Sequence, residues 1–294
     1  MNHVKGLVQA EEVYRQGYTG KGVRIAVLDT GASAHRDLSH RIAAFRNFMG
    51  DRQTCHDDNG HGTHVAGILC GDGTCSRGLV RGMAPGAELV VLKVLDDAGN
   101  GKTEKVLSAL EWVKENHVLY GIRLLNFSVG FLQGADNEAQ NDIMCGLEEL
   151  WDDNVTVVTA AGNNGPGEGT ITVPGISRKV ITVGASDDER GGRGMPKGYS
   201  GKGPTGCCIV KPEILAPGTN ILSLSNKGNQ YVQKSGTSMA TPIVCGALAL
   251  ALEKNPALRP EHLKLKLYES LVVGRERRGP AWGIIQVDNL MKLV

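Results

Sequence analysis

Gly236-Thr237-Ser238-Met239-Ala240-Thr241-Pro242 stands at the junction between a glycine turn and a long apolar run over residues 243–252. That run is apolar on nearly every face, which predicts a helix buried inside a domain. A helix start presents unpaired backbone N–H groups and a partial positive charge, and both favour an anion forming there. A lone serine in that place reads most simply as a helix cap. Two earlier stretches change the reading: Val27-Leu28-Asp29-Thr30-Gly31 and His61-Gly62-Thr63-His64-Val65-Ala66-Gly67. Aspartate, then histidine, then serine is one of the chain orders in which a hydrolytic triad occurs.

Working outward, apolar runs of strand length alternate with segments of helical spacing. Residues 23–28 predict a short buried strand ending at Asp29, and residues 89–95 a second. Val106, Leu107, Leu110, Val113 and Val118 follow helical spacing, and residues 124–129 return to strand. Residues 137–151 read as a helix with Ile143, Met144, Leu147 and Leu150 on one face. Strands follow at 155–160 and 180–183, then a glycine-rich, charged loop over 184–206. This alternation predicts an α/β fold with a mostly parallel central sheet and helices on both faces. Ligands of such sheets bind beyond the carboxyl ends of strands, and Asp29, Ser128 and Asn163 all fall there. No linker or internal repeat divides the chain, so residues 1–294 are expected to form one domain, with 1–16 as a lead-in.

Composition excludes several classes. Thirty-two lysines and arginines against 31 acids give a net charge of +1, so no pull toward nucleic acid or an anionic membrane is expected. Forty glycines and four phenylalanines point to many tight turns and an aliphatic core. The longest apolar run is well short of the roughly 20 residues that span a bilayer. The N-terminus contains no signal-peptide core, and seven cysteines (55, 70, 75, 145, 207, 208 and 245) make an odd number. Mostly free thiols in a reducing cytoplasm are the expectation; a secreted mature form lacking its signal would read the same way.

Hydrolysis of an amide near neutral pH needs a nucleophile, a base, a group that orients the base, and donors for the oxyanion. Ser238 is suited to attack once its hydroxyl is activated by an imidazole. His61 is suited to take that proton and return it to the leaving amine. Asp29 is suited to accept the other imidazole N–H, and Asn163, in Ala160-Ala161-Gly162-Asn163-Asn164-Gly165, to face the oxyanion. Each has a plainer alternative: Asp29-Thr30-Gly31 as a turn, His61 as a surface histidine, Asn163-Asn164-Gly165 as turn chemistry. His64 lies one helical turn past His61, but no further ligand pattern completes a metal site, so it reads as structural. The four patches occurring together in a compatible order outweigh the separate alternatives.

At these residues the chain resembles the subtilase family, the subtilisin-like serine proteases. The patches around Asp29, His61 and Ser238 match its three motifs almost letter for letter, and Ala161-Gly162-Asn163 matches its oxyanion motif. The resemblance begins near Gly17-Tyr18-Thr19-Gly20-Lys21-Gly22 and runs to the final helix and Trp282-Gly283. Lys211-Pro212-Glu213-Ile214 is similar to a bacterial branch with cytoplasmic members. The resemblance implies a serine endopeptidase working through an acyl-enzyme. Its triad would be Asp29, His61 and Ser238, with Asn163 and the Ser238 backbone N–H on the oxyanion.

It also implies that a peptide or protein substrate binds as an added strand. Ser128, Val129 and Gly130 match one flanking strand, and Gly99, Asn100 and Gly101 the other. Phe131 stands where many relatives have glycine, which alters the outer apolar pocket. Thr172 matches the base of the primary pocket, where a threonine makes it shallower and favours medium apolar side chains over tryptophan. Val173-Pro174 matches a cis peptide.

The resemblance also has gaps. Most members of that family begin as zymogens; here an inhibitory propeptide is not expected within the chain, leaving either earlier processing or folding without one. No cofactor is required for catalysis. Asp37 matches a calcium ligand, but residues 70–78 replace the usual ligand loop and offer only Asp72, so no metal site is expected. Cys70 and Cys75 span a small loop and Cys207-Cys208 is a vicinal pair; free thiols are the simpler reading. Residues 275–278, Arg-Glu-Arg-Arg, read as a solvated loop. A catalytically silent subtilase fold used as a binding module is the alternative class, and the four intact site residues argue against it. No Gly-x-Ser-x-Gly elbow supports an esterase-type hydrolase.

Overall fold

The computed structural model describes residues 1–131, 137–206, 209–273 and 281–294. The Cys207-Cys208 pair and the charged stretch at 275–278 lie outside the described residues. Strand β1 (Arg24–Asp29) is followed by β2 (Ile42–Asn47), β3 (Glu88–Lys93), β4 (Ile122–Phe127), β5 (Thr156–Ala160), β6 (Ile181–Ala185), β7 (Ile214–Ala216) and β10 (Gly283–Ile284). These eight form one sheet in the order β10-β7-β6-β5-β4-β1-β3-β2, every neighbouring pair parallel. The inner strands are rich in Val, Ile, Leu and Ala because both faces are covered; Ile25 to Leu28 are wholly buried. Strands β8 (Ile221–Leu224) and β9 (Tyr231–Lys234) make a separate antiparallel hairpin.

Helices α1 (Asn2–Leu7), α2 (Glu11–Arg15), α3 (His61–Cys70), α4 (Thr103–Tyr120), α5 (Asn137–Asp152), α6 (Thr237–Lys254), α7 (Pro260–Ser270) and α8 (Val287–Leu293) complete the architecture. Helix α3 packs on β1, β3 and α6, and α6 spreads across β4 to β7. Helix α4 packs on β1, β4 and α5. Two helices that share β1 but choose different helical partners lie on opposite faces. The β2–α3–β3 and β3–α4–β4 connections step the same way along the sheet yet use opposite faces, so they have opposite hands. One is an exception to the right-handed rule. Its consequence is functional: it puts the start of α3 on the same face as the start of α6.

The residues expected as a lead-in are part of the packed fold. Val4, Val8, Ala10 and Val13 are buried, and the Val287 N–H donates to the Val8 carbonyl at 2.8 Å. Helix α6 behaves as its composition demands, with every residue from Thr237 to Leu252 buried. It starts earlier than the apolar run, taking Ser238 into its first turn.

Candidate active site

The carboxyl end of β1 is the centre of the site. Asp29, its last residue, is wholly buried, with β3 on one side and β4 on the other. Its Oδ1 accepts from the Thr30 N–H at 2.7 Å and faces His61 Nδ1 at 2.7 Å. In the neutral ring Nδ1 therefore carries the proton, leaving Nε2 with its lone pair. Burial presses the His61 pKa down, but the charge and hydrogen bond of Asp29 outweigh it and hold the value above the ordinary one. Lys234 pulls the same way as burial, and Asp57 supports Asp29. Gly62, beside His61, has no room for a side chain: a Cβ there would collide with the Gly31 carbonyl and lie 3.1 Å from Asp29 Oδ1.

The start of α3 is held by Asp57, a residue the sequence reading passed over. Asp57 is buried and takes the Gly60 N–H at 2.8 Å and the Thr63 N–H at 2.9 Å. These are N–H groups that a helix start leaves unpaired. The available signal was an aspartate three residues ahead of Gly60, the residue that caps the helix. Asn59 ties the same turn to the neighbouring loop, accepting from the His61 N–H at 3.1 Å and donating to the Asp97 carbonyl at 2.8 Å. His64 is structural, as expected. Its Nε2–H lies 3.0 Å from both the Ile221 and Val232 carbonyls, pinning α3 to the hairpin. Burial, with the Lys234 and His61 charges, pushes its pKa down to about 3.

At the start of α6 the arrangement is more open. Asn163 Oδ1 accepts from the Thr237 N–H at 2.9 Å and the Thr237 hydroxyl at 3.1 Å, which leaves its Nδ2 unspent. The Met239 N–H donates to the Gly236 carbonyl at 3.0 Å. Between them, the Ser238 N–H has no partner among the described residues. The Ser238 hydroxyl donates to the Ser128 carbonyl at 3.2 Å and makes no hydrogen bond to His61. The histidine–aspartate contact is thus formed, while the serine–histidine contact is not closed. Catalytic hydrogen bonds are often loose without substrate.

The residues expected at the substrate edges differ in how far their backbone groups are already paired. Gly130 is exposed, and neither of its backbone groups has a partner among the described residues. Val129 is buried. On the other side the Asn100 backbone turns inward, its N–H to Asp96 Oδ1 and its carbonyl from the Asp96 N–H, each at 2.8 Å. The Gly99 carbonyl and both Gly101 backbone groups have no partner among the described residues, so the groups left unpaired fall on alternate residues. Phe131 pairs with Val173 across an antiparallel bridge, and the Val173–Pro174 peptide is cis. Thr172 is buried between two glycines: a Cβ on Gly130 would meet its Oγ1 at 2.5 Å, and one on Gly162 its Cγ2 at 2.5 Å.

The carboxylates matched to calcium are already engaged. Asp37 accepts from the Cys75 N–H and the Tyr231 hydroxyl, each at 2.7 Å. Asp72 accepts from the Thr74 N–H and hydroxyl, each at 2.8 Å. No cluster of three or more metal-ligating side chains occurs among the described residues. As placed, Asp37 and Asp72 do not fit a calcium site among the described residues.

Comparison with known proteins decides the family. The model of the subtilase family matches residues 20–281. The chain belongs to the subtilase family. It is 41% identical over 277 residues to the serine protease AprX of Bacillus subtilis (strain 168), covering 87% of this chain and 63% of AprX. It is 34% identical to Subtilisin DY of Bacillus licheniformis, covering 89% of this chain and 88% of that protein. Among solved structures, Sphericase superposes with a TM-score of 0.80 at 29% identity, over 97% of both chains. A cold-adapted subtilisin-like serine proteinase gives 0.76 at 28%, over 92% and 90%. This subtilase therefore shares its parallel sheet and flanking helices with serine proteases, whose substrates are peptides and proteins. No helix among its described residues is long and apolar enough to cross a membrane.

Proposed function

We propose that this subtilase is a serine endopeptidase in which Ser238 is the nucleophile, His61 the general base and acid, and Asp29 the group that orients His61. Ser238 Oγ forms a bond to the scissile carbonyl carbon as its proton passes to His61 Nε2. The negative charge on the carbonyl oxygen is met by the Ser238 N–H and Asn163 Nδ2. The C–N bond then breaks, the amine leaves with the proton from His61, and water repeats the sequence on the acyl-enzyme. The observation that carries this reading is the unspent Ser238 N–H, flanked by two N–H groups that are both satisfied. A donor left free at the start of a buried helix is a place for an anion.

The substrate reading is part of the same proposal. Gly130 and the Gly99/Gly101 pair form the edges that take a peptide, and Thr172 is the floor of a shallow primary pocket. The five cysteines described are all free thiols, which supports a reducing compartment. Labelling with a fluorophosphonate probe tests the reading. The expected result is a single adduct on Ser238, lost in His61→Ala. Folded protein that takes no adduct overturns it.

A further inference from the structure

We propose that Asp57 is a positioning residue for the reaction, clamping the end of β1 to the first turn of α3 so that His61 stays aligned on Asp29. The inference rests on the endopeptidase reading above. Both oxygens of the buried Asp57 carboxylate are used, and they bind two chain segments together. Oδ1 accepts from the Thr30 hydroxyl at 2.8 Å, the Gly60 N–H at 2.8 Å and the Asn59 N–H at 3.1 Å. Oδ2 accepts from the Thr63 N–H at 2.9 Å and the Thr63 hydroxyl at 2.6 Å. Each hydroxyl is itself a relay. Thr30 Oγ1 accepts from the Gly62 N–H at 2.8 Å, and Thr63 Oγ1 from the Ser33 N–H at 3.0 Å.

The partners fall on both sides of the catalytic pair. Thr30 follows Asp29 directly and donates its N–H to that carboxylate, while Gly60 and Gly62 flank His61. Gly31 and Asp57 also form an antiparallel bridge. Moving Asp57 therefore moves the acid and the base relative to each other. A plain helix cap needs only the Gly60 and Thr63 contacts; the Thr30 link to β1 is what a positioning role adds.

Burial favours the neutral form of Asp57, but its bonds to Thr63, Gly60 and Thr30 outweigh burial and keep it a carboxylate. It is then the second negative charge near His61. The charged and titratable groups facing His61 are Asp29 from β1, Asp57 from the preceding loop, His64 from α3 and Lys234 from β9. Removing the Asp57 charge removes support for the imidazolium and lowers the pH at which His61 loses its proton. A merely structural role would not move that pH.

The test compares Asp57→Asn and Thr30→Val with wild type, counting active molecules by fluorophosphonate titration. In Asp57→Asn, kcat per titrated site is expected to fall about 10²-fold, the loss typical of a small misplacement of catalytic groups. KM should change little, and the acid limb of the pH–rate profile should move to lower pH. Thr30→Val breaks the relay but keeps the charge, so kcat should fall roughly tenfold with the acid limb in place. An Asp57→Asn protein whose kcat per site is within about threefold of wild type overturns the proposal, as does a fallen kcat with an unmoved acid limb. Should Asp57→Asn fail to fold, an unchanged kcat in Thr30→Val overturns it instead. Wild type that takes no adduct on Ser238 is a different failure, that of the endopeptidase reading itself.

Discussion

The two helix starts that meet at the site are built on opposite plans. At α3 the polar groups are almost all committed: Asp57 takes five donors, Asn59 holds the His61 N–H, and His61 is already on Asp29. At α6 the committed groups are the outer ones, Asn163 Oδ1 with Thr237 and Met239 with Gly236, while the Ser238 N–H and Asn163 Nδ2 have no partner among the described residues. Committed groups fix geometry before substrate arrives; free groups are satisfied only when charge develops on it. On the proposed reading, the difference gives preorganisation to the base side and anion stabilisation to the nucleophile side.

Asn163 tests that division with the largest effect, because it belongs to both plans. If its only role is to cap α6 through Oδ1, Asn163→Ala costs about 1 kcal/mol of stability and spares kcat. If Nδ2 also serves the oxyanion, kcat falls about 10² to 10³-fold with KM nearly unchanged. We expect the second result. Asn163→Asp sharpens it, since a carboxylate still accepts from Thr237 but cannot donate. Steady-state kinetics on both variants should show the same heavy loss of kcat; an active aspartate variant would leave Asn163 as a cap alone.

On the α3 side the test is stability against pH. His64 is neutral in the fold, its pKa pushed down to about 3 by burial and the neighbouring Lys234 and His61 charges. In the unfolded chain a histidine takes a proton near pH ~6.5. As pH falls between these values only the unfolded state binds the proton, so stability is lost on acidification, by up to about 1.4 kcal/mol per pH unit. His61 does not oppose this. Its pKa is raised, so its contribution is complete below the unfolded value and is lost only as pH rises through the folded one. Asp37 and Asp57, both lowered, add acid sensitivity only below about pH 4, the ordinary carboxylate range. Denaturant unfolding between pH ~6 and ~4.5 should therefore show the slope, and His64→Gln should flatten it. Equal slopes in the two proteins would remove His64 from the account.

The two plans were unequally legible in the sequence. The α6 side was readable because its signal is local: a glycine, a serine and an apolar run, with Asn163 in its own turn after β5. The inner strands were readable for the same reason, being short runs buried on both faces. Asp57 was not, because a carboxylate before a glycine turn looks like any solvated loop until its partners Thr30 and Thr63 are brought to it. Thr237 sits in the motif, yet its grip on Asn163 spans more than seventy residues of chain. Strand β2 alternates between half-buried and exposed positions with no clean period, as an edge strand does, and β8 and β9 are four residues each. Helix α1 has only six residues and was read as a lead-in. Side-chain hydrogen bonds between distant segments leave no periodic trace.

The substrate side offers a smaller test. Thr172 fills the gap between Gly130 and Gly162, and its buried hydroxyl has no hydrogen-bond partner among the described residues. Thr172→Gly removes that floor without touching Ser238, Asn163 or the α3 network. The expected change is a shift of roughly tenfold or more in relative kcat/KM toward phenylalanine and tyrosine over alanine and valine, preceding the cut bond. Ser238 labelling should be unaltered. An unchanged preference would place the primary pocket elsewhere and leave the two glycines as packing contacts.

The smallest effect is expected from removing metal. In a fold that gains stability from a bound cation, chelation costs the binding free energy, about 2.7 kcal/mol when the ion stands at a hundred times its Kd. Here the Asp37 carboxylate already has the Cys75 N–H and the Tyr231 hydroxyl as partners. Burial raises its pKa, but these two bonds more than reverse that and keep it charged. A cation would have to displace both donors and would find no second free carboxylate, because Asp72 is taken by Thr74. Thermal unfolding should therefore be the same with a chelator as with added calcium. Tyr231→Phe, which frees one Asp37 oxygen, should cost about 1 kcal/mol in either condition. A variant that instead gains stability from calcium would show that the tyrosine hydroxyl occupies a ligand's place. A wild type that loses stability to the chelator would show a cation binding where this arrangement of donors leaves it no room.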